Sequence, residues 1–134
     1  MITEDYVSFE TAKLLKEKGF DESLSMVYIS YGDLCRLKRY DSICNSNYND
    51  ITKNYFECIA PTLQMAMKWL RKEHKLHIQI WILEEKGYWF DIEKILNAQY
   101  KHKSLYSTGL EDIYFETNEQ AAEAAIKYCL ENLI

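Results

Sequence analysis

The sequence is short of the residues that break or bridge a chain: one proline, four glycines and four cysteines in 134 residues. That scarcity excludes a collagen-like chain, and no low-complexity tract is present. No run of about 18 apolar residues occurs, so no membrane span is expected. The start, Met-Ile-Thr-Glu-Asp-Tyr, has neither a basic opening nor an apolar stretch, and no secretory signal is expected. Cys35, Cys44, Cys58 and Cys129 lie 9, 14 and 71 positions apart, with no Cys-x-x-Cys. Structural zinc sites pair close ligands, and a disulfide framework belongs to smaller secreted chains, so the pattern fits reduced thiols in the cytoplasm. Without a glycine-rich turn between strand and helix there is no phosphate cradle.

What is present suffices for a core. Hydrophobic residues make up 48% and charged residues 28%, which fits a single soluble domain spanning residues 1–134 rather than a disordered chain or a coiled-coil rod. The net charge of −5 is unevenly spread. Residues 1–25 carry −3, residues 26–110 carry +3, and residues 111–134 carry −5. Acidic ends disfavour a nucleic-acid protein with a broad basic face. The most basic short stretch, Lys68, Arg71, Lys72 and Lys75, reads first as a solvated helix face and second as a phosphate-binding patch.

Local patterns outline the elements. Ser8 before Phe9-Glu-Thr-Ala12 predicts an N-cap and a helix to about Lys18, with Gly19 past its end. Residues 26–31 and 34–40, around Gly32-Asp33, predict a β-hairpin, followed by a loop over 41–58. Pro61 suits the first position of a second helix, whose buried side is Leu63, Ala66, Met67, Leu70 and His74. A loop over 97–109 and a short strand over 110–115 come before the last helix. Thr117-Asn-Glu-Gln120 forms a capping box for that helix, with the stripe Ala122, Ala125, Ile126, Cys129, Leu130 and Leu133.

The segment 76–95 alternates most clearly. Leu76, Ile78, Ile80 and Ile82 face one way, and Tyr88, Phe90 and Ile92 join them after a turn. A three-residue loop with Gly87 in the left-handed position pairs Ile82 with Phe90 and Ile80 with Ile92. A four-residue loop breaks the match between faces. The chosen register puts Leu83 beside Trp89 and Trp81 beside Asp91. The sum is an α+β fold: three helices on a mostly antiparallel sheet of four or five strands, in the order α-β-β-α-β-β-(β)-α.

No reaction follows from these residues. His74-x-x-His77 straddles a helix end and a strand start, so its rings should point apart and serve as packing or surface histidines. No local motif singles out a nucleophile among Cys35, Cys44 and Cys58, and Cys129 sits on a buried stripe. The chain is therefore read as a non-enzyme without cofactor or metal. The back of the 76–95 hairpin stands out: His77, Gln79, Trp81, Leu83, Trp89 and Asp91, with Glu93 at its end. Two tryptophans on a polar face suit a protein interface, a homodimer or another partner, unless another part of the chain covers them.

Two resemblances add to this. From Pro61 onward the order helix, strand, strand, strand, helix is similar to the double-stranded-RNA-binding domain. That family grips phosphates with lysines at the start of its last helix, where this chain has Glu119, Gln120 and Glu123, so the resemblance implies fold and not RNA binding. Ala60-Pro-Thr-Leu-Gln-Met-Ala-Met-Lys-Trp-Leu-Arg71, His74-Lys-Leu-His-Ile78, Asn118-Glu-Gln-Ala-Ala122, Ala125 to Ile134 and Gly19-Phe-Asp-Glu22 resemble a family of small uncharacterised proteins. These occur in gut anaerobic bacteria, their prophages and other mobile elements. That resemblance implies an accessory protein of phage or mobile-element origin and assigns no catalytic or binding residue.

Overall fold

The computed structural model of the chain describes residues 1–31, 34–44, 56–96, 99 and 101–134. They form two compact units, Met1–Thr62 and Leu63–Ile134. The class is α+β: among the described residues there are three helices and two three-stranded antiparallel sheets, where the sequence predicts one sheet of four or five strands. Alternation marks a strand but not its partner, and two of the six strands carry little of it. Among the described residues no helix is long and apolar enough to cross a membrane.

In the first unit, α1 (Phe9–Glu17) starts as its cap predicts, Ser8 Oγ accepting the Thr11 N–H at 3.2 Å. It ends in a Schellman motif. Gly19, at φ +96°, donates to Lys16 at 3.2 Å, and Phe20 donates to Leu15 at 2.9 Å. β1 (Leu24–Tyr31) and β2 (Leu34–Cys44) form the expected hairpin, with Tyr31 opposite Leu34. Its Gly32-Asp33 turn lies outside the described residues.

β3 (Phe56–Ile59) pairs with the other side of β1, giving the order β2-β1-β3. The expected loop over 41–58 thus loses its first residues to β2 and its last to β3, and its remainder, 45–55, lies outside the described residues. β3 forms because Cys58 and Ile59 are buried on β1, with Ile59 opposite Val27. The extended chain then continues. Pro61 accepts the Val7 N–H at 3.0 Å, and Thr62 bridges Tyr6. Pro61 therefore precedes the second helix instead of occupying its first position.

In the second unit, α2 (Leu63–His74) buries Leu63, Ala66, Met67, Trp69 and Leu70. Lys75, at φ +58°, turns the chain into β4 (Leu76–Leu83). β5 (Gly87–Ile95) and β6 (His102–Ser107) complete a sheet ordered β4-β5-β6. α3 (Asn118–Asn132) is capped by Thr117 Oγ1, which accepts the Gln120 N–H at 3.0 Å, while Gln120 Oε1 accepts the Glu116 N–H at 3.1 Å. Its small Ala121, Ala122 and Ala125 are fully buried, which lets it lie close to β4 and β5 on the face that α2 also covers. Tyr128 of α3 stacks on Tyr106 of β6, with centroids 3.9 Å apart.

Three expectations fail here. β6 lies inside the expected loop 97–109. Its side chains are mostly exposed and show no alternation, so its backbone pairing with β5 is what makes it a strand. The expected strand over 110–115 is instead a 3-10 turn, Gly109–Glu111, followed by Asp112 at φ +60°, and only Phe115 pairs, with Tyr88. The cause is the buried Thr108. Its N–H and its hydroxyl both bond Phe90, and its carbonyl takes the Ile113 N–H at 2.9 Å, folding the chain back.

The β4–β5 register is the third. Leu83 faces Gly87, Trp81 faces Trp89, Ile80 faces Phe90 and Ile78 faces Ile92, so the loop is Glu84-Glu85-Lys86. The two-residue slip preserves the faces but changes every partner. Glu85, at φ +66°, takes the left-handed turn position expected of Gly87. Ile82, expected in the core, is 68% exposed near the hairpin tip, while Leu76, Ile78, Phe90 and Ile92 are buried.

Candidate interaction face

β4 and β5 bring His77, Gln79, Trp81, Leu83, Trp89, Asp91 and Glu93 to the sheet face opposite α2 and α3. Alternation places them there, since their neighbours Leu76, Ile78, Phe90 and Ile92 are buried under the helices. The face predicted from sequence is thus assembled, but its pairs differ. Trp89 lies opposite Trp81 rather than Leu83, and the two indoles stack with centroids 6.0 Å apart and planes 22° apart. Gln79, not Trp81, lies opposite Asp91, and His77 lies opposite Glu93. Trp81 still reaches Asp91 along the diagonal, its Nε1–H donating to Oδ2 at 3.1 Å.

The indoles differ in exposure. Trp81 is 47% exposed and Leu83 44%, whereas Trp89 is half-buried. What meets Trp89 is Gly109: a Cβ built on that glycine would stand 2.8 Å from Trp89 Cε3. Sequence reasoning missed Gly109. A lone glycine in an expected loop signals a turn, and nothing local connects it with a ring twenty residues away.

Beside the tryptophans runs a polar row. His77 Nε2 lies 3.2 Å from Gln79 Oε1, and His102 Nδ1 lies 2.8 Å from Glu93 Oε2. Asp91 Oδ1 is buried and, among the described residues, has no hydrogen-bond partner. Burial raises the Asp91 pKa, and Glu93 adds to the rise. The Trp81 hydrogen bond, His77 and His102 oppose it. His74 does not join His77, for its ring packs edge-on against Trp69 at 4.7 Å.

Three of the second expected set, Lys68, Arg71 and Lys72, lie along α2, and Lys75 follows its end. Lys68, Lys72 and Lys75 are exposed and Arg71 is partly so, at the spacing of one helix side. Their surroundings are those of a helix C-terminus. Lys75 Nζ donates to the Lys72 carbonyl at 3.4 Å, and Lys94 Nζ donates to the His74 carbonyl at 2.7 Å. Cations there offset the negative end of the helix dipole, and anions are favoured at the opposite end.

Cys58 and Cys129 are buried, and burial pushes the Cys129 thiol up to about 12, away from the thiolate that chemistry needs.

No protein-family model, curated protein or solved structure matches this chain.

Proposed function

We propose that the chain is a non-enzymatic accessory protein of the cytoplasm, of phage or mobile-element origin, that binds a protein partner or a second copy of itself through the β4–β5 face. The observation that carries this reading is the stacked Trp81–Trp89 pair, whose outer ring stays about half exposed on a face otherwise polar. Aromatic side chains give large contact area at low entropic cost and are enriched at the centres of interfaces. The family resemblance supports the origin and no more.

The test is a tagged pull-down from host lysate, with and without nuclease, using the native chain and Trp81→Ala/Trp89→Ala. Capture that survives nuclease and disappears in the variant supports the reading, provided the circular dichroism of the variant is unchanged. Equal capture by both chains removes this face from it. Capture abolished by nuclease moves the role to Lys68, Arg71, Lys72 and Lys75. That second reading predicts binding that weakens steeply with salt, and the helix C-terminus beneath those residues argues against it.

A further inference from the structure

We propose that two copies of this chain pair antiparallel along β4, joining their β4-β5-β6 sheets into one six-stranded sheet. The proposal rests on the reading above only in making this sheet the interacting element, and it places the contact on the strand edge beside the tryptophan face. Each sheet has two edges, and three of the four are guarded. β2 carries Arg36, Lys38 and Arg39. β3 is only four residues long. β6 carries His102 and Lys103, and its pairing with β5 shifts register between Ile92 and Glu93. Charged side chains, short length and bulges are the devices that keep edges from pairing with other strands.

β4 has none of them. Its eight residues, Leu-His-Ile-Gln-Ile-Trp-Ile-Leu, contain no acid, lysine, arginine or proline, and its pairing with β5 is unbroken. Among the described residues, no backbone hydrogen bond from another segment closes its outer edge. Trp81, Ile82 and Leu83 at its end are exposed.

Charge selects a second copy and the direction. β4 follows Lys75, beside Lys72 and Arg71, and runs into Glu84 and Glu85, and of these five all but the partly exposed Arg71 are exposed. Two parallel copies would set like charges together at both ends. Antiparallel copies set the basic start of each against the acidic tip of the other, twice by symmetry. Keeping the faces matched requires partners of equal parity. With Ile80 opposite the partner's Ile80, Ile78 meets the partner's Ile82, Gln79 meets the partner's Trp81, and Lys75, just before the strand, comes near the partner's Glu84-Glu85 turn. In this register the exposed Ile82 gains an apolar neighbour on its open side, and the two tryptophan stacks share one face.

Sedimentation equilibrium of the full chain tests this, from about 1 to about 300 µM, since edge pairing buries little area and gives a weak dimer. The expected mass rises with concentration from 16.0 kDa toward twice that value. Ile82→Lys and Lys75→Glu should each weaken the dimer at least about tenfold. Lys75→Glu combined with Glu84→Lys and Glu85→Lys should restore it, which a merely structural role for these residues would not do. A chain that stays monomeric throughout overturns the proposal. So does a dimer indifferent to Ile82→Lys, or one that the triple charge exchange fails to restore. A monomer that still captures a protein through its tryptophans overturns self-pairing alone and leaves the broader reading standing.

Discussion

Gly87 lies directly under the carbonyl of Phe115: a Cβ built on it would stand 2.6 Å from that oxygen. The neighbouring Tyr88 exchanges both backbone hydrogen bonds with Phe115, at 2.8 and 2.7 Å, so the approach is held by the ladder itself. Gly87 also sits at φ +116°, where a side chain is strained whatever the space. Gly87→Ala should therefore destabilise the fold by about 2–4 kcal/mol, through strain and displacement of Phe115 together. Glu85→Gly, at an exposed turn residue with positive φ, should change stability by less than about 1 kcal/mol. Urea unfolding of the two variants checks the contrast, and an unaffected Gly87→Ala would mean that the close approach is not made.

Thr108 answers Phe90 three ways. Its N–H donates to the Phe90 carbonyl at 2.9 Å, and its hydroxyl accepts the Phe90 N–H at 3.0 Å and lies 3.2 Å from the same carbonyl. All of this is buried. Thr108→Val keeps the shape and leaves the Phe90 N–H without a partner, at a cost of about 1–3 kcal/mol. Thr108→Ser keeps the hydroxyl and should cost clearly less. A larger loss in Thr108→Ser than in Thr108→Val, measured by denaturant midpoint, would show that the methyl group matters more than the hydrogen bond.

These two contacts mark where the sequence was legible and where it was not. Helix signals are local: Ser8, Gly19, Thr117 and Gln120 act within four residues, and each acts as its type predicts. The alternation of β4 and β5 likewise identified which residues share the tryptophan face. Register could not be read, because the left-handed turn position fell on Glu85, while Gly87, also at positive φ, was required by Phe115, far along the chain. β3 and β6 were missed because each is defined by the strand beside it rather than by a pattern of its own.

The Asp91 carboxyl should make stability depend on acid. Its pKa is raised in the fold, by burial above all, so the folded state holds this proton more tightly than the unfolded chain. The contribution is favourable below the ordinary carboxylate value of 3.8 and is lost as pH rises through the folded pKa. Asp91→Asn removes the charge and can keep an oxygen for the Trp81 indole. At neutral pH it should stabilise by less than about 1 kcal/mol, because the carboxylate is partly solvated. Near pH 3 the gain should disappear. Thermal melts of both chains between pH 3 and pH 7 decide the matter, and a gain that persists at pH 3 would assign it to packing instead.

Alkylation should separate the thiols by burial. Cys129 is fully enclosed on α3, with its pKa raised by burial to about 12, and Cys58 is 1% exposed in β3. Iodoacetamide at neutral pH should therefore modify both only when the chain unfolds, while the half-buried Cys35 reacts in the native protein. Peptide mapping by mass spectrometry after native and denatured labelling reads this directly. Rapid native labelling of Cys129 would contradict the packing of α3 on the sheet.

Gly109→Ala probes the tryptophan face without touching either indole. The added methyl would stand 2.8 Å from Trp89 Cε3 and 3.0 Å from Cδ2, so the ring must shift or the 3-10 turn must lift. The backbone at Gly109 itself needs no glycine, since its φ is not positive, so the cost comes from the ring contact alone. A displaced Trp89 loses its stack with Trp81, and the half-buried indole becomes wetter. Fluorescence emission should move to longer wavelength, with stability down by about 1–3 kcal/mol as for an overpacked core site. Binding through the face should fall along with the stack. If emission shifts while partner capture persists, Trp81 and Leu83 carry the contact and Trp89 only supports them from behind.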